Sequence, residues 1–298
     1  MSFSSNVKDE LVSNQIISDC CLKAQAYGLV LFGRTFSPRS ISFLSEHISS
    51  AQIYADSLLE QTGIKPLVDI DTNKKKKVKI RTAAERIKIF EYFGHSANDL
   101  TLRINRANIS NDCCFNAFIR GAFISCGTVT SPEKNYHLEF VVPHLKLCMD
   151  FINLLDEMNL CPKQIARNGS NIIYFKDSES IEDILTLMGA TSSSLELMGI
   201  KMQKDMINKV NRKINFEVAN LSKTVNASIQ QINAINLIDS TIGLNQLPSA
   251  LKEIAIIRRD NPEISLKELG ELLSKPISRS GINHRLKRIV DIADVMEK

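Results

Sequence analysis

The sequence is poor in the signatures that usually point to chemistry. It contains no run of about 18 apolar residues, which excludes a membrane-spanning helix. Its first stretch, MSFSSNVKDELVS, lacks the basic and apolar regions of a signal peptide and is expected to form a short capped helix. The seven cysteines (Cys20, Cys21, Cys113, Cys114, Cys126, Cys148 and Cys161) are odd in number and include no CxxC pair. Neither a disulfide framework nor a zinc site is expected from such spacing. Thiols of this kind read as small core hydrophobes in a reduced cytosol. His47, His95, His137 and His144 are scattered, without HxH or HxxxH spacing, and no Gly-rich phosphate loop is present. No cofactor, metal, membrane or small-molecule substrate is therefore expected.

What is present is an ordinary globular balance, with 44% hydrophobic and 23% charged residues. The net charge of +4 is mild, but its distribution is uneven. NKKKKVKIR, residues 73–81, is one basic cluster. SKPISRSGINHRLKRIV, residues 274–290, is another, with five Lys or Arg and no acid. Two separated basic patches suit a polyanion, most directly double-stranded DNA.

The sequence also repeats itself. DCCLKAQAYGLVLFGRTFS starts at Asp19, and DCCFNAFIRGAFISCGTVT starts at Asp112. Both begin Asp-Cys-Cys, and both place an Ala (Ala24, Ala117) and a Gly (Gly28, Gly121) at matching positions. A Gly inside a helix costs up to about 1 kcal/mol against Ala, so two at equivalent sites imply helices in close contact. Asp19 and Asp112 suit the positive ends of those helices. Each copy is followed by the same order of signals. The first is followed by two short strands, a helix over 47–62, a hairpin with its lysines at the turn, and a further helix. The second is followed by two strands, a helix over 144–159, a hairpin turning at Asn168-Gly169, and a helix over 180–188. The expectation is an α+β domain over residues 1–190, built of two αββαββα halves, about 1–93 and 94–190.

These paired small-residue helices with αββαββα halves resemble the LAGLIDADG homing-endonuclease fold. The resemblance implies two motif helices on a pseudo-twofold axis and two sheets forming a saddle for the DNA major groove. It also implies an acidic metal ligand just before the last Gly of each motif. With Gly121 and Gly127 aligned on the motif glycines, that position is Cys126 in the second copy. In the first copy it is Gly33, followed by Arg34. Mg²⁺ needs hard oxygen ligands; Gly offers none and a thiolate is too soft. These metal positions are degenerate, and no nuclease activity is expected.

After residue 190 strand signals disappear. Residues 191–240 read as a connector of two helices, broken near Ile214 and Asn215. Residues 241–298 read as an all-α helix-turn-helix. A first helix starts near Pro248, with Leu251, Ile254 and Ile257 on one face. SLKE, from Ser265 to Glu268, is a capping box opening a second helix that turns Leu266, Leu269, Leu272 and Leu273 inward. The third helix starts at Ser278 or Ser280, with Ile282, Leu286, Ile289 and Ala293 facing the core. Its other face carries Arg279, Asn283, Arg285 and Arg288, flanked by His284 and Lys287. Such a helix enters the major groove, where Arg reads guanine and Asn reads adenine. Ser278 and Ser280, beside free N–H groups, suit a phosphate. Lys74, Lys75, Lys76 and Lys77 are the expected phosphate contacts of the N-terminal domain.

The two parts together, with RGAFISCGTVTSPEKNYHLEF and SRSGINHRL as the most specific stretches, resemble the WhiA family of bacterial sporulation and cell-division regulators. That family usually carries a Cys in the connector where Phe216 stands here. The resemblance implies a cytoplasmic, nucleoid-associated transcription regulator that binds DNA without cutting it, with a link to cell division, chromosome segregation and sporulation. Two other readings compete. One is an interaction protein whose LAGLIDADG-like domain holds part of the transcription or division machinery. The other is a metal-dependent endonuclease with displaced ligands.

Overall fold

Gly28 and Gly121 explain the architecture of the first two-thirds of the chain. Helix α2 (Asp19–Leu31) and helix α5 (Asp112–Cys126) lie backbone against backbone. A Cβ on Gly28 would overlap the Phe118 carbonyl, and one on Gly121 would meet Gln25 O and stand 2.8 Å from Leu29 N. Both helices are buried on nearly every side, as residues 24–31 and 117–124 record. A helix apolar all round belongs at the centre of a domain.

The computed structural model describes residues 2–70, 75–97, 99, 101–167 and 169–296. Around the central pair each half repeats one order. The first half continues through β1 (Thr35–Ser37), β2 (Ser40–Ser45), α3 (Ile48–Thr62), β3 (Leu67–Ile70), β4 (Lys76–Lys79) and α4 (Ala83–Tyr92). The second continues through β5 (Gly127–Val129), β6 (Leu138–Val142), α6 (Leu145–Glu157), β7 (Lys163–Arg167), β8 (Ser170–Phe175) and α7 (Ser178–Met188). The two four-stranded antiparallel sheets have the same order, β1-β2-β4-β3 and β5-β6-β8-β7. This is the α+β, doubled αββαββα fold that the repeats lead one to expect.

Helix α1 (Phe3–Ser13) precedes the halves, with Ser2 as its N-cap. It packs Phe3, Val7 and Leu11 into the same core. Buried Arg120 of α5 fastens it, donating to the carbonyls of Leu11 and Asn14.

The connector departs from expectation. Instead of two helices it is one, α8, running over Thr191–Thr241 without a break at Ile214. Ile and Asn are mediocre helix formers costing a few tenths of a kcal/mol each, whereas breaking a helix takes Pro, and none occurs here. The start of α8 is fixed by Glu10, whose carboxylate accepts from Ser192 N (2.6 Å), Ser193 N (3.0 Å) and Ser193 Oγ (2.6 Å).

The chain divides into two compact units, Met1–Asp205 and Met206–Lys298. The second has its own core. Ala234, Ile235 and Ile238 of α8 pack with α9 (Ser249–Asp260), α10 (Leu266–Glu271) and α11 (Arg279–Met296). Ile282, Leu286, Ile289 and Ala293 are all buried, as their spacing requires. Leu272 is not: it is 55% exposed. Gly270 takes the inward place, because the turn into α11 crosses it so closely that a Cβ there would lie 2.5 Å from Ile277 O.

Candidate nucleic-acid interface

The second unit sets out its polar face through caps and buried polar bonds. The capping box is formed: Glu268 N donates to Ser265 Oγ at 3.3 Å and Ser265 N to Glu268 Oε2 at 2.8 Å. Arg258, only 2% exposed, donates from Nε to Gln231 Oε1 (3.0 Å) and from Nη1 to Ile264 O (2.8 Å). Burial pulls its pKa below the usual guanidinium value. Those two bonds tie α8, α9 and the approach to α10 together, which fixes where α11 can lie.

On α11, Arg279, Ser280, Asn283, His284, Lys287 and Arg288 are exposed. Ser278, also exposed, accepts from Gly281 N at 3.3 Å and lies 2.9 Å from Ser280 Oγ. Its hydroxyl therefore caps the helix, which leaves Ser280 as the freer of the two. Arg285 is half-buried, and its charge reaches Glu253. The Glu253 carboxyl is held below the usual carboxylate range first by the hydrogen bond from Ser274 N (2.6 Å), with Arg285 adding to it. Among the described residues, none of Arg279, Arg285, Lys287 and Arg288 forms an ion pair. A groove beside the start of α11 is lined by Lys223, Thr224, Lys267, Arg279 and Asn283, and no acid lines it. Lys223 and Lys267 carry no motif, and sequence reading missed them. Only the fold, which sets Lys223 of α8 and Lys267 of α10 around one groove, brings them beside Arg279.

The first unit is electrostatically different. Lys74 and Asn168 lie outside the described residues. Lys75 is paired with Glu46 (2.7 Å), and Lys79 with Asp69 (2.6 Å). Lys76 and Lys77 belong to strand β4 and not to the hairpin turn. Alternation then separates them. Lys77 shares the open face with Leu44 and Asp69, whereas Lys76 shares the opposite face with buried Val78. The matching open face of the other sheet carries Tyr174, Lys163 and Arg167, and all of β7 is exposed. Lys163 and Arg167 were not singled out from sequence, because isolated cations in a polar strand leave no pattern.

At Gly33 and Cys126, where the resemblance would put the metal ligands, neither residue offers a side-chain oxygen. Cys126 sits at the end of α5, where burial pushes its thiol up to about 12 against the pull of the Lys8 charge. Lys8 lies 5.8 Å from the Phe123 ring centroid. Gly33 has the Ser42 carbonyl beside it, 3.2 Å from where a Cβ would be. Among the described residues, the one gathering of three or more metal-ligating side chains lies elsewhere. At the start of α2 and α5, Cys20, Cys21, Cys113 and Cys114 bring their sulfur atoms within 4.8 Å of one another. The spacing rule that argued against a zinc site considers only ligands near in sequence. It is blind to two pairs 93 positions apart.

The WhiA LAGLIDADG-like domain family matches residues 115–207, and the WhiA C-terminal HTH domain family matches residues 210–293. The probable cell division protein WhiA of Ruminiclostridium cellulolyticum is 39% identical over 309 residues, covering 100% of this chain and 99% of that protein. The chain belongs to the WhiA family. The WhiA proteins of Clostridium tetani (39% identical over 322 residues) and Alkaliphilus metalliredigens (36% over 310) agree with it along almost their whole lengths. In structure, full-length WhiA from T. maritima shares the fold at a TM-score of 0.61 and 24% identity, covering 99% of this chain and 98% of that one. The WhiA family fold thus accounts for both units: a degenerate LAGLIDADG-like domain and a C-terminal helix-turn-helix.

Proposed function

We propose that this chain is a sequence-specific, double-stranded-DNA-binding transcription regulator that does not cut its target. The observation that carries the reading is the exposed face of α11. Among the described residues its cations form no ion pair, they flank Asn283, and they stand on a helix held by the buried Ile282, Leu286 and Ile289. Arg279, Asn283, Arg285 and Arg288 are the base readers, with His284 and Lys287 at the flanks. Ser278 and Ser280 lie at the phosphate end. Lys223 and Lys267 add phosphate contacts from the groove. In the first unit Lys77 is the member of the lysine cluster best placed to touch a phosphate, with Lys75 and Lys76 secondary and Lys74 adjoining in sequence. Two weak modules on one chain raise each other's effective concentration.

The absence of cleavage rests on ligand chemistry. Gly33 and Cys126 supply no hard oxygen, and the ammonium of Lys8 beside Cys126 opposes a divalent cation. The relatives are named as probable cell division proteins, and on that ground a role in division is proposed; roles in chromosome segregation and sporulation, in the cytoplasm at the nucleoid, are proposed from the family resemblance. No helix among the described residues is long and apolar enough to cross a membrane.

The test is a binding selection on fragmented source-genome DNA with Mg²⁺ present. The full chain and a version ending before Leu247 are run in parallel, and bound fragments and cleaved ends are sequenced. A few enriched sites, lost on truncation and without new ends, are expected. Specific new ends would sink the non-nuclease reading. A second reading has one observation in its favour. Lys75 and Lys79 are already neutralised by Glu46 and Asp69, so the first sheet presents a nearly balanced surface that suits a protein of the transcription machinery. Enrichment without any contribution from residues 1–205 would favour it.

A further inference from the structure

The first turns of α2 and α5 each carry two adjacent cysteines, and the pseudo-twofold packing brings all four together. Every pair of sulfur atoms lies within 4.8 Å, and Cys20 Sγ is 4.0 Å from both Cys21 Sγ and Cys113 Sγ. A tetrahedral Zn²⁺ with thiolates at about 2.3 Å requires sulfur–sulfur edges of about 3.8 Å. A disulfide requires about 2.05 Å and pairs each sulfur once, so it does not explain four sulfurs in one cluster. Neighbouring residues on a helix point about 100° apart. Two vicinal pairs facing each other therefore converge from four directions, which a CxxC motif achieves through a loop.

The surroundings supply a second observation. Ser18 and Asn111 are the N-caps of α2 and α5, yet neither side chain makes a capping hydrogen bond. Both turn to Cys20 instead: Ser18 Oγ lies 3.0 Å from its sulfur, and Asn111 Nδ2 donates to it at 4.0 Å. Donors aimed at sulfur stabilise a thiolate and orient it as a ligand. Two helix N-termini add positive potential where a tetrathiolate complex would carry net negative charge. Cys113 is exposed and Cys20 partly so, which leaves the ion a way in.

We propose that Cys20, Cys21, Cys113 and Cys114 form a structural tetrathiolate zinc site that clamps the N-terminal ends of the two motif helices. Binding releases four protons, one from each thiol, and involves no change of oxidation state. The clamp sits at the end of the helix pair opposite Gly33 and Cys126, so it is distinct from the family's degenerate metal positions. It leaves no open coordination position, which assigns it to folding and not to catalysis.

The experiment uses the full chain, purified without chelator under argon. Elemental analysis should find one zinc per chain. After stripping and reduction, Co²⁺ should give the intense visible bands and thiolate charge transfer of a tetrahedral S₄ site. These should saturate at one equivalent and vanish when Zn²⁺ is added. The pair Cys20→Ser with Cys113→Ser should lower metal affinity by more than the roughly 10–100-fold that loss of an outer partner costs. Cys161→Ser should leave it unchanged. Thermal unfolding of the unmutated chain should move up with free Zn²⁺ by mass action. The Co²⁺ spectrum needs no variant, so a misfolded double mutant does not decide the outcome. All seven thiols reduced, with no tetrahedral cobalt spectrum, would overturn the site. So would disulfides in protein kept anaerobic, and iron at one equivalent would overturn the choice of zinc.

Discussion

The two lysine- and arginine-rich stretches look alike as sequence and differ as surfaces. In β4 the cations are divided by strand alternation, and two of the nearest are held in ion pairs, Lys75 with Glu46 and Lys79 with Asp69. In α11 the helical period puts the apolar residues on one side and leaves the cations over the remaining surface, with Arg285 half-buried at its edge and no ion pair among the described residues. Charge count is a poor guide to a polyanion site. What matters is whether the fold leaves the charges on one face and unneutralised.

The sharpest way to break that comparison is to move α11 without touching its charges. Gly270→Leu places a Cβ against Ile277 O, so the turn must shift. The expected cost is about 1–3 kcal/mol or more in unfolding free energy of the second unit, with specific DNA binding lost. Calorimetry alongside binding isotherms measures both; unchanged binding would show that α11 is not the reading element. Next in size, Arg288→Ala or Arg285→Ala should each cost about 1–3 kcal/mol at the preferred site. Loss spread equally over all DNA sequences would reduce these residues to phosphate contacts. Arg285 is the informative one of the two, because it is also drawn toward Glu253.

Removing one phosphate contact should make the salt dependence shallower by about 0.9 in log–log slope. Lys267→Ala and Lys77→Ala are the paired test, titrated in potassium chloride. Lys267 should show the change in full, and Lys77 a smaller one. The smallest effect is expected from Glu46→Gln, which frees Lys75. Exposed ion pairs contribute about 0–1 kcal/mol, so DNA affinity should rise only severalfold at low salt and not at high salt.

A separate pH test concerns the core beneath the first sheet. Buried His95 is held neutral because burial lowers its pKa, with Asp99 acting weakly the other way. Tyr27 OH accepts from Asn105 N at 2.7 Å and lies 3.0 Å from His95 Nε2. A depressed histidine favours folding above the unfolded value near 6.5 and loses that contribution as pH falls below it. Thermal stability of the first unit should therefore drop as pH falls below about 6.5, and His95→Gln should flatten the profile.

Much of the molecule is decided by local pattern. The doubled helix, strand, helix order follows from period and turn signals, and the core face of α11 from steps of three and four. The capping box at Ser265 follows from two residue types three apart. These are short-range rules, and sequence contains everything they need. The continuity of α8 was readable as well, had the absence of Pro outweighed the mediocre propensity at Ile214 and Asn215. Three features belong to the tertiary structure alone. Lys76 and Lys77 part company only because β4 pairs with β2 in one register. Gly270 displaces Leu272 from the core only because Ile277 passes over it. The four cysteines meet only because Gly28 and Gly121 let two helices touch across 93 positions of sequence, a juxtaposition set by packing and not by spacing.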